Sequence, residues 1–266
     1  MSTATDGPLP FGRGGSGGPL LLIHGLGGDR DSFGSILPAL EARHDVVRPD
    51  LPGHGAAPEL DGPVTVDRIA DRLEAFLDAQ GLDGVDVVGS SLGARLALEL
   101  ARRGRVGTTI ALDPGGFWSP RERRVFGVSV AASYRLVLGL QGALPLLTGN
   151  AATRTALLAQ FSARPWALPQ PLVLRELRSF AAAPGFSDTL DALWKGPLQP
   201  GLPAGQARGP IHLVWGRQDR VTFTGQAPRA QAAFPDADLT WIERCGHFPH
   251  WDQPDETTRL ILGWTG

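Results

Sequence analysis

The sequence predicts an α/β protein in which a doubly wound, mostly parallel sheet is interrupted by one helical insertion. Three observations carry that prediction. Apolar runs of strand length alternate with longer amphipathic stretches through the first 113 residues, the pattern of a parallel sheet covered by helices. The alternation stops after Pro114 and resumes at Ile211. Charge divides at the same boundary, since residues 114–209 hold 10 basic and 4 acidic residues and the rest of the chain holds 15 and 23.

The chain opens with only Leu9 to Gly12 as a possible first strand, and the segment Gly12 to Gly18 reads as a flexible surface connection. Leu20 to Ile23, Asp45 to Arg48, Val85 to Val88 and Thr108 to Leu112 are apolar runs with strand length. Between them Asp31 to Arg43, Val66 to Gln80 and Ser91 to Arg103 space their apolar residues for helices. Val66, Ile69, Ala70, Leu73, Phe76 and Leu77 mark one stripe. Residues 114–209 are rich in Leu, Ala and Arg and broken at Pro145, Gly149, Pro165, Pro169 and Pro184, with no strand periodicity. Sheet pattern returns with Ile211 to Trp215, a helix near Gln226 to Phe234, a strand near Leu239 to Glu243 and a helix after Pro254.

Composition excludes several classes. The 266 residues suffice for one large domain with an insertion. A formal net charge of -2 argues against a protein held to nucleic acid by bulk positive potential. The single cysteine, Cys245, excludes an intramolecular disulfide and a multi-cysteine zinc site. No run approaches the roughly 18 apolar residues of a membrane span, and Met1 to Gly18 lacks the basic start and apolar core of a signal peptide. The expectation is a soluble cytoplasmic protein that needs no metal and no cofactor, with a small molecule as its partner rather than nucleic acid or membrane.

Two segments fit the G-x-S-x-G pattern, Gly14 to Gly18 around Ser16 and Gly89 to Gly93 around Ser91. Only the second lies between a strand and an amphipathic helix, where a sharp turn exposes the hydroxyl at the carboxyl ends of the strands. A weak serine nucleophile needs a base and a group to orient it. Both follow in chain order: Asp219 lies just beyond the strand ending at Trp215, and His247 just beyond the strand ending near Glu243. The loop His24-Gly25-Leu26-Gly27-Gly28 supplies a flexible backbone able to aim an amide at a developing oxyanion. The expected donors are the backbone N–H groups of Leu26 and Leu92.

Together these segments, with Asp50-Leu51-Pro52-Gly53-His54-Gly55 and Gly246-His247-Phe248-Pro249-His250, resemble the lidded enzymes of the α/β-hydrolase fold over nearly the whole core. The resemblance implies Ser91 as nucleophile, Asp219 as acid and His247 as base. It makes residues 1–113 and 210–266 the core, and residues 114–209 a helical cap inserted after the sixth strand in the family's order. His24 and His54 then take structural roles. Asp113, at the end of that sixth strand, stands where some relatives carry the acid and is the alternative to Asp219. Relatives usually begin with a two-stranded hairpin, whereas here only Leu9 to Gly12 could serve, which leaves the presence of the first strand open. Ala56-Ala57 also replaces the serine usual after Gly53-His54-Gly55.

Relatives that open epoxides or remove halogens attack with aspartate, so a serine at position 91 points instead to acyl chemistry. The expected substrate is an ester, thioester or lactone of a small hydrophobic acyl or aryl group. Carbon–carbon hydrolysis and perhydrolysis stay open, although Ser90 stands where carbon–carbon hydrolases often carry asparagine. A non-catalytic ligand-binding protein and one recognising an acidic carrier through the basic insertion are the alternatives from other classes. Among the insertion's aromatic residues, Phe117 and Trp118 leave the sheet closest to the site and are expected to bind substrate.

Overall fold

Seven strands, β1 (Phe11–Gly15), β2 (Gly18–Ile23), β3 (His44–Pro49), β4 (Val85–Ser90), β5 (Val106–Leu112), β6 (Ile211–Gly216) and β7 (Asp238–Ile242), form one sheet. Their order is β1-β3-β2-β4-β5-β6-β7, and every pair is parallel except β1 with β3. The protein is described by a computed structural model over residues 7–266. The sequence reading of Met1 to Gly18 therefore falls partly on residues 1–6, outside the described residues.

Side chains alternate across the strands, as extended backbone requires. Leu20 and Leu22 face one layer with Leu40 of α1 (Leu37–Glu41) and Ile261 of α10 (Pro254–Trp264). Leu21 and Ile23 face the other, with α2 (Val66–Gln80), α3 (Leu92–Arg102) and α9 (Gln226–Ala233). The predicted stripe of α2 is buried in full, each large apolar side chain contributing roughly 1.5–3 kcal/mol. Thr65 starts this helix by accepting the Arg68 N–H, and Gly81 ends it at φ 65°.

Two local expectations are corrected. Gly12 to Gly15, read as part of a flexible connection, belongs to strand β1, paired from Phe11 opposite Pro49 to Gly15 opposite Asp45. Arg13 on β1 adds an ion pair with Asp45 on β3 at 2.5 Å. One described strand thus precedes β2, within and just beyond the short stretch that the sequence allowed. The helix expected over Asp31 to Arg43 is confined to Leu37–Glu41. Upstream of it the backbone runs as successive four-residue turns, closed by the N–H groups of Ser32, Gly34 and Ile36 donating to the carbonyls of Asp29, Asp31 and Phe33. Carboxylates take amides there that would otherwise join a helix, Asp29 binding Asp31 N–H and Asp50 binding Arg30 N–H.

Between β5 and β6 lie five α-helices and no strand: α4 (Pro120–Gly139), α5 (Leu144–Gly149), α6 (Ala151–Leu158), α7 (Gln170–Ala182) and α8 (Phe186–Lys195). A capping box between Ser119 and Glu122, with Pro120 in the first turn, sets the start of α4. Val137, Leu144, Leu158, Leu168, Val173 and Leu177 give this insertion a small core of its own. It meets the sheet domain backbone to backbone at Gly53 and Gly185, where the Gly185 N–H donates to the Gly53 carbonyl at 2.9 Å. A Cβ on Gly53 would lie 2.7 Å from Gly185 Cα. No helix among the described residues is long and apolar enough to cross a membrane.

Candidate active site

The carboxyl ends of the parallel strands open on one edge, and the predicted side chains meet there. Ser91 is the single residue between β4 and α3, held at φ 55° and ψ -111°. That is the left-handed side of backbone space, where a non-glycine residue is strained. The strain is held by the Ser91 N–H donating to Leu112 O at 2.9 Å and by the Arg95 N–H donating to Ser91 O at 3.0 Å. The turn also needs glycine on both sides, because a Cβ at Gly89 would overlap the Gly93 carbonyl and one at Gly93 would overlap the Ile23 carbonyl. Ser16 of the other glycine pattern is exposed before β2, on the opposite edge.

Ser91 Oγ lies 2.8 Å from His247 Nε2, and His247 Nδ1 lies 3.0 Å from Asp219 Oδ2. Asp219 follows β6 and His247 follows β7. Both are buried. Asp219 Oδ1 accepts the N–H groups of Val221 at 2.7 Å and Thr222 at 3.1 Å, while Oδ2 also accepts the Thr222 hydroxyl at 2.5 Å. Burial alone would raise this carboxyl, but the charge and hydrogen bond of His247 and the surrounding donors bring it down to about 2. Asp219 is therefore an ionised acceptor that fixes Nδ1–H on His247 and leaves Nε2 facing the serine.

Asp113 sits at the end of β5 with its own backbone at φ 48°. Its Oδ1 accepts the Gly216 N–H at 2.9 Å, and its carboxyl lies against that of Asp219. Burial, followed by the neighbouring Asp219 charge, pushes its carboxyl well above the usual range. Of the two candidate acids, Asp219 is the one hydrogen-bonded to the imidazole. Asp113, Asp219 and His247 also form a trio of metal-ligand type among the described residues, with ligand atoms within 4.8 Å of one another. Asp219 and His247 already commit those atoms to each other, to Thr222 and to Ser91.

The loop after β2 approaches the serine closely. A Cβ on Gly25 would stand 3.3 Å from Ser91 Cβ, which brings the Leu26 backbone beside Ser91. Leu92 is the first residue of α3, where amides lack helical partners. His24 stays structural in this arrangement: Nε2 accepts the Leu51 N–H at 3.0 Å, and Nδ1 lies 2.8 Å from Gly25 O. His54 is wholly buried beside it, its imidazole lowered to about 3 by burial and then by His24.

Above Ser91 lies a cavity of about 70 Å³, lined on the sheet side by Leu26, Val221, His247 and Phe248 and on the insertion side by Phe126, Phe161 and Phe180. Phe161 is coupled directly to the site, since its carbonyl accepts the His247 N–H at 2.8 Å. Asp252 binds Gly246 N–H, Ala163 N–H and the Ser162 hydroxyl, joining the histidine loop to the insertion.

Phe117 and Trp118 do not line this cavity, which corrects the expectation for them. Phe117 packs edge-on against Phe234, and Trp118 against Phe126 with the Arg95 guanidinium over its ring. They leave β5 beneath the insertion and are consumed as its seat on the sheet domain. Sequence reasoning also missed Glu176, which enters the cavity from α7. Its signal was present: Val173, Glu176, Leu177 and Phe180 recur at helical spacing on one face, and a carboxylate in that stripe is out of place.

A family model described as the alpha/beta hydrolase family matches residues 20–260. An uncharacterized protein of Mycobacterium tuberculosis is 29% identical over 255 residues, covering 90% of this chain and 73% of the relative. The 2-hydroxy-6-oxo-6-phenylhexa-2,4-dienoate hydrolase of Burkholderia cepacia is 26% identical over 261 residues, covering 93% and 87%. Among solved structures, a thermophilic esterase from Thermogutta terrifontis matches with a TM-score of 0.75 at 21% identity, covering 96% of this chain and 92% of the esterase.

Proposed function

The chain belongs to the alpha/beta hydrolase family, and from that membership we propose that it is a serine hydrolase acting on an ester, thioester or lactone of a small hydrophobic acyl or aryl substrate. The observation that carries the proposal is the continuous chain from Ser91 Oγ through His247 to Asp219, at 2.8 and 3.0 Å. These separations lie within the range for proton transfer. In the proposed reaction Ser91 Oγ attacks the acyl carbon while His247 Nε2 takes the hydroxyl proton. The backbone N–H groups of Leu26 and Leu92 receive the negative oxygen of the tetrahedral intermediate. His247 then gives its proton to the leaving oxygen or sulfur, which departs and leaves an ester on Ser91. Water, deprotonated by His247, attacks that ester, releases the acid and restores the serine hydroxyl.

Residues 114–209 act in this reading as a cap whose underside excludes water from the intermediate. Support comes from Phe126, Phe161 and Phe180, all on the insertion and all on the wall of the cavity. The small volume and mostly apolar wall favour a compact, hydrophobic acyl or aryl group.

Intact-mass spectrometry after exposure to a fluorophosphonate and a panel of activated acyl esters tests the reading. A single adduct in the wild type that is absent from Ser91→Ala is the expected result. An adduct persisting in Ser91→Ala overturns it.

A further inference from the structure

Among the described residues, Glu176 is the one acidic side chain on the wall of the cavity above Ser91, whose other lining residues are mostly aromatic or aliphatic. The residue is 8% exposed. A carboxyl in such surroundings is costly unless its polar atoms are used. One oxygen is used: Oε1 is bound by Arg175, which also binds Asp29 on the loop after β2. The second is nearly idle, because its contact is the Ser32 hydroxyl, which donates to Oε2 across 3.4 Å. That hydroxyl already accepts the Asp29 N–H at 3.1 Å.

Charge decides the form of this group. Arg175 stands between two carboxyls, so ionising both Asp29 and Glu176 would leave a net negative charge beside the buried Glu176 side chain. Burial raises Glu176 to about 8, against the opposing pull of Arg175, whereas Asp29 is lowered through its hydrogen bonds and Arg175, against its own burial. The other titratable groups on the cavity wall, His24, His247 and His250, lie on the loops after β2 and β7. Burial lowers both His24 and His250, so these two add no positive charge at neutral pH. Glu176 thus holds a proton near neutral pH, and with Oε1 accepting from Arg175 the proton resides on Oε2, a donor without a strong acceptor.

We propose that Glu176 determines specificity by donating a hydrogen bond to an oxygen carried on the substrate's acyl chain, away from the scissile carbonyl. The preferred substrates are keto- or hydroxyacyl derivatives rather than plain alkyl ones. This deepens the serine hydrolase reading and rests on it for the orientation of the substrate. The physical basis is that a site built to bond a polar group rejects the analogue lacking it, since the donor is then left buried and unpaired.

The test measures binding without turnover. In the Ser91→Ala protein, calorimetry compares methyl hexanoate with its 3-, 4- and 5-oxo derivatives and with methyl 5-aminopentanoate. At least one oxo ester is expected to bind about tenfold tighter than methyl hexanoate, the value of one net hydrogen bond. Adding Glu176→Gln, which keeps an N–H donor, retains that preference, and adding Glu176→Leu abolishes it. Equal binding of all oxo and plain esters, or the same preference with leucine, overturns the proposal. Tightest binding of the ammonium ester also overturns it, in favour of an ionised Glu176. Fluorophosphonate labelling reads the nucleophile separately. A Glu176-dependent preference with labelling that persists in Ser91→Ala sinks the nucleophile alone. Labelling confined to Ser91 with no such preference sinks the role of Glu176 alone.

Discussion

The carboxyl groups of Asp113 and Asp219 place oxygens within 4.8 Å of each other, yet only Asp219 is bonded to the imidazole of His247. Two carboxylates this close do not readily ionise together. Asp219 takes the charge because it has His247 and Thr222 as partners, while burial and the Asp219 charge push the Asp113 carboxyl well above the usual range.

Asp219→Asn is expected to lower kcat by roughly three to four orders of magnitude, the scale for a triad whose histidine loses its orienting charge. Asp113→Asn keeps the shape of a side chain that is not bonded to the imidazole and is expected to stay within about tenfold of the wild type. Steady-state kinetics on an activated ester, with urea titrations to verify folding, make the comparison. A crippled Asp113→Asn beside a near-normal Asp219→Asn would transfer the role to Asp113.

Ser91→Ala is expected to remove fluorophosphonate labelling entirely, and Ser16→Ala to leave it unchanged. Both serines sit in matching glycine patterns, so the pair tests structural context with composition held equal. Peptide mapping of the adduct provides the readout.

Trp118→Ala is expected to destabilise the protein by about 3–5 kcal/mol, the usual cost of emptying a large aromatic site. Its acyl chain-length preference should remain that of the wild type. Phe180→Ala, on the cavity wall, is expected to shift that preference toward longer chains. Urea unfolding and kcat/KM profiles across acetate to octanoate esters separate the two effects.

Glu176→Gln is expected to gain stability over the wild type as pH rises. The carboxyl titrates near 4.5 when unfolded and about 8 when folded, so between these values the unfolded chain releases a proton that the native protein keeps. Native stability contributed by the protonated acid is complete below pH 4.5 and is lost as pH climbs to 8. Glutamine lacks this titration. Urea unfolding at pH 5 and pH 8 should show the gap widening in favour of Glu176→Gln, by up to about 4 kcal/mol. A gap independent of pH would mean that Glu176 is ionised throughout.

Parallel strands were legible because burial on both faces leaves near-continuous apolar runs, as in Leu20 to Ile23 and Val85 to Val88. Strand β1 was hidden because three of its five residues are glycine, so its place comes from pairing with the edge of β3 rather than from a side-chain pattern of its own. Ser91, Asp219 and His247 could be picked out because each sits just beyond a recognisable strand. The fates of Phe117, Trp118 and Glu176 depend on how the insertion docks, and helical periodicity gives the direction of a face without naming what it meets.

The joint between Gly53 and Gly185 bears on how such a protein is inherited and rebuilt. Neither position leaves room for a methyl group: a Cβ on either stands within 2.8 Å of the other's Cα. The insertion is therefore not a portable module. A transplanted helical segment docks on this sheet only if it brings a residue without a side chain to that point. Chimeras between homologues will assemble only when both glycines travel together or when the joint is redesigned as a pair.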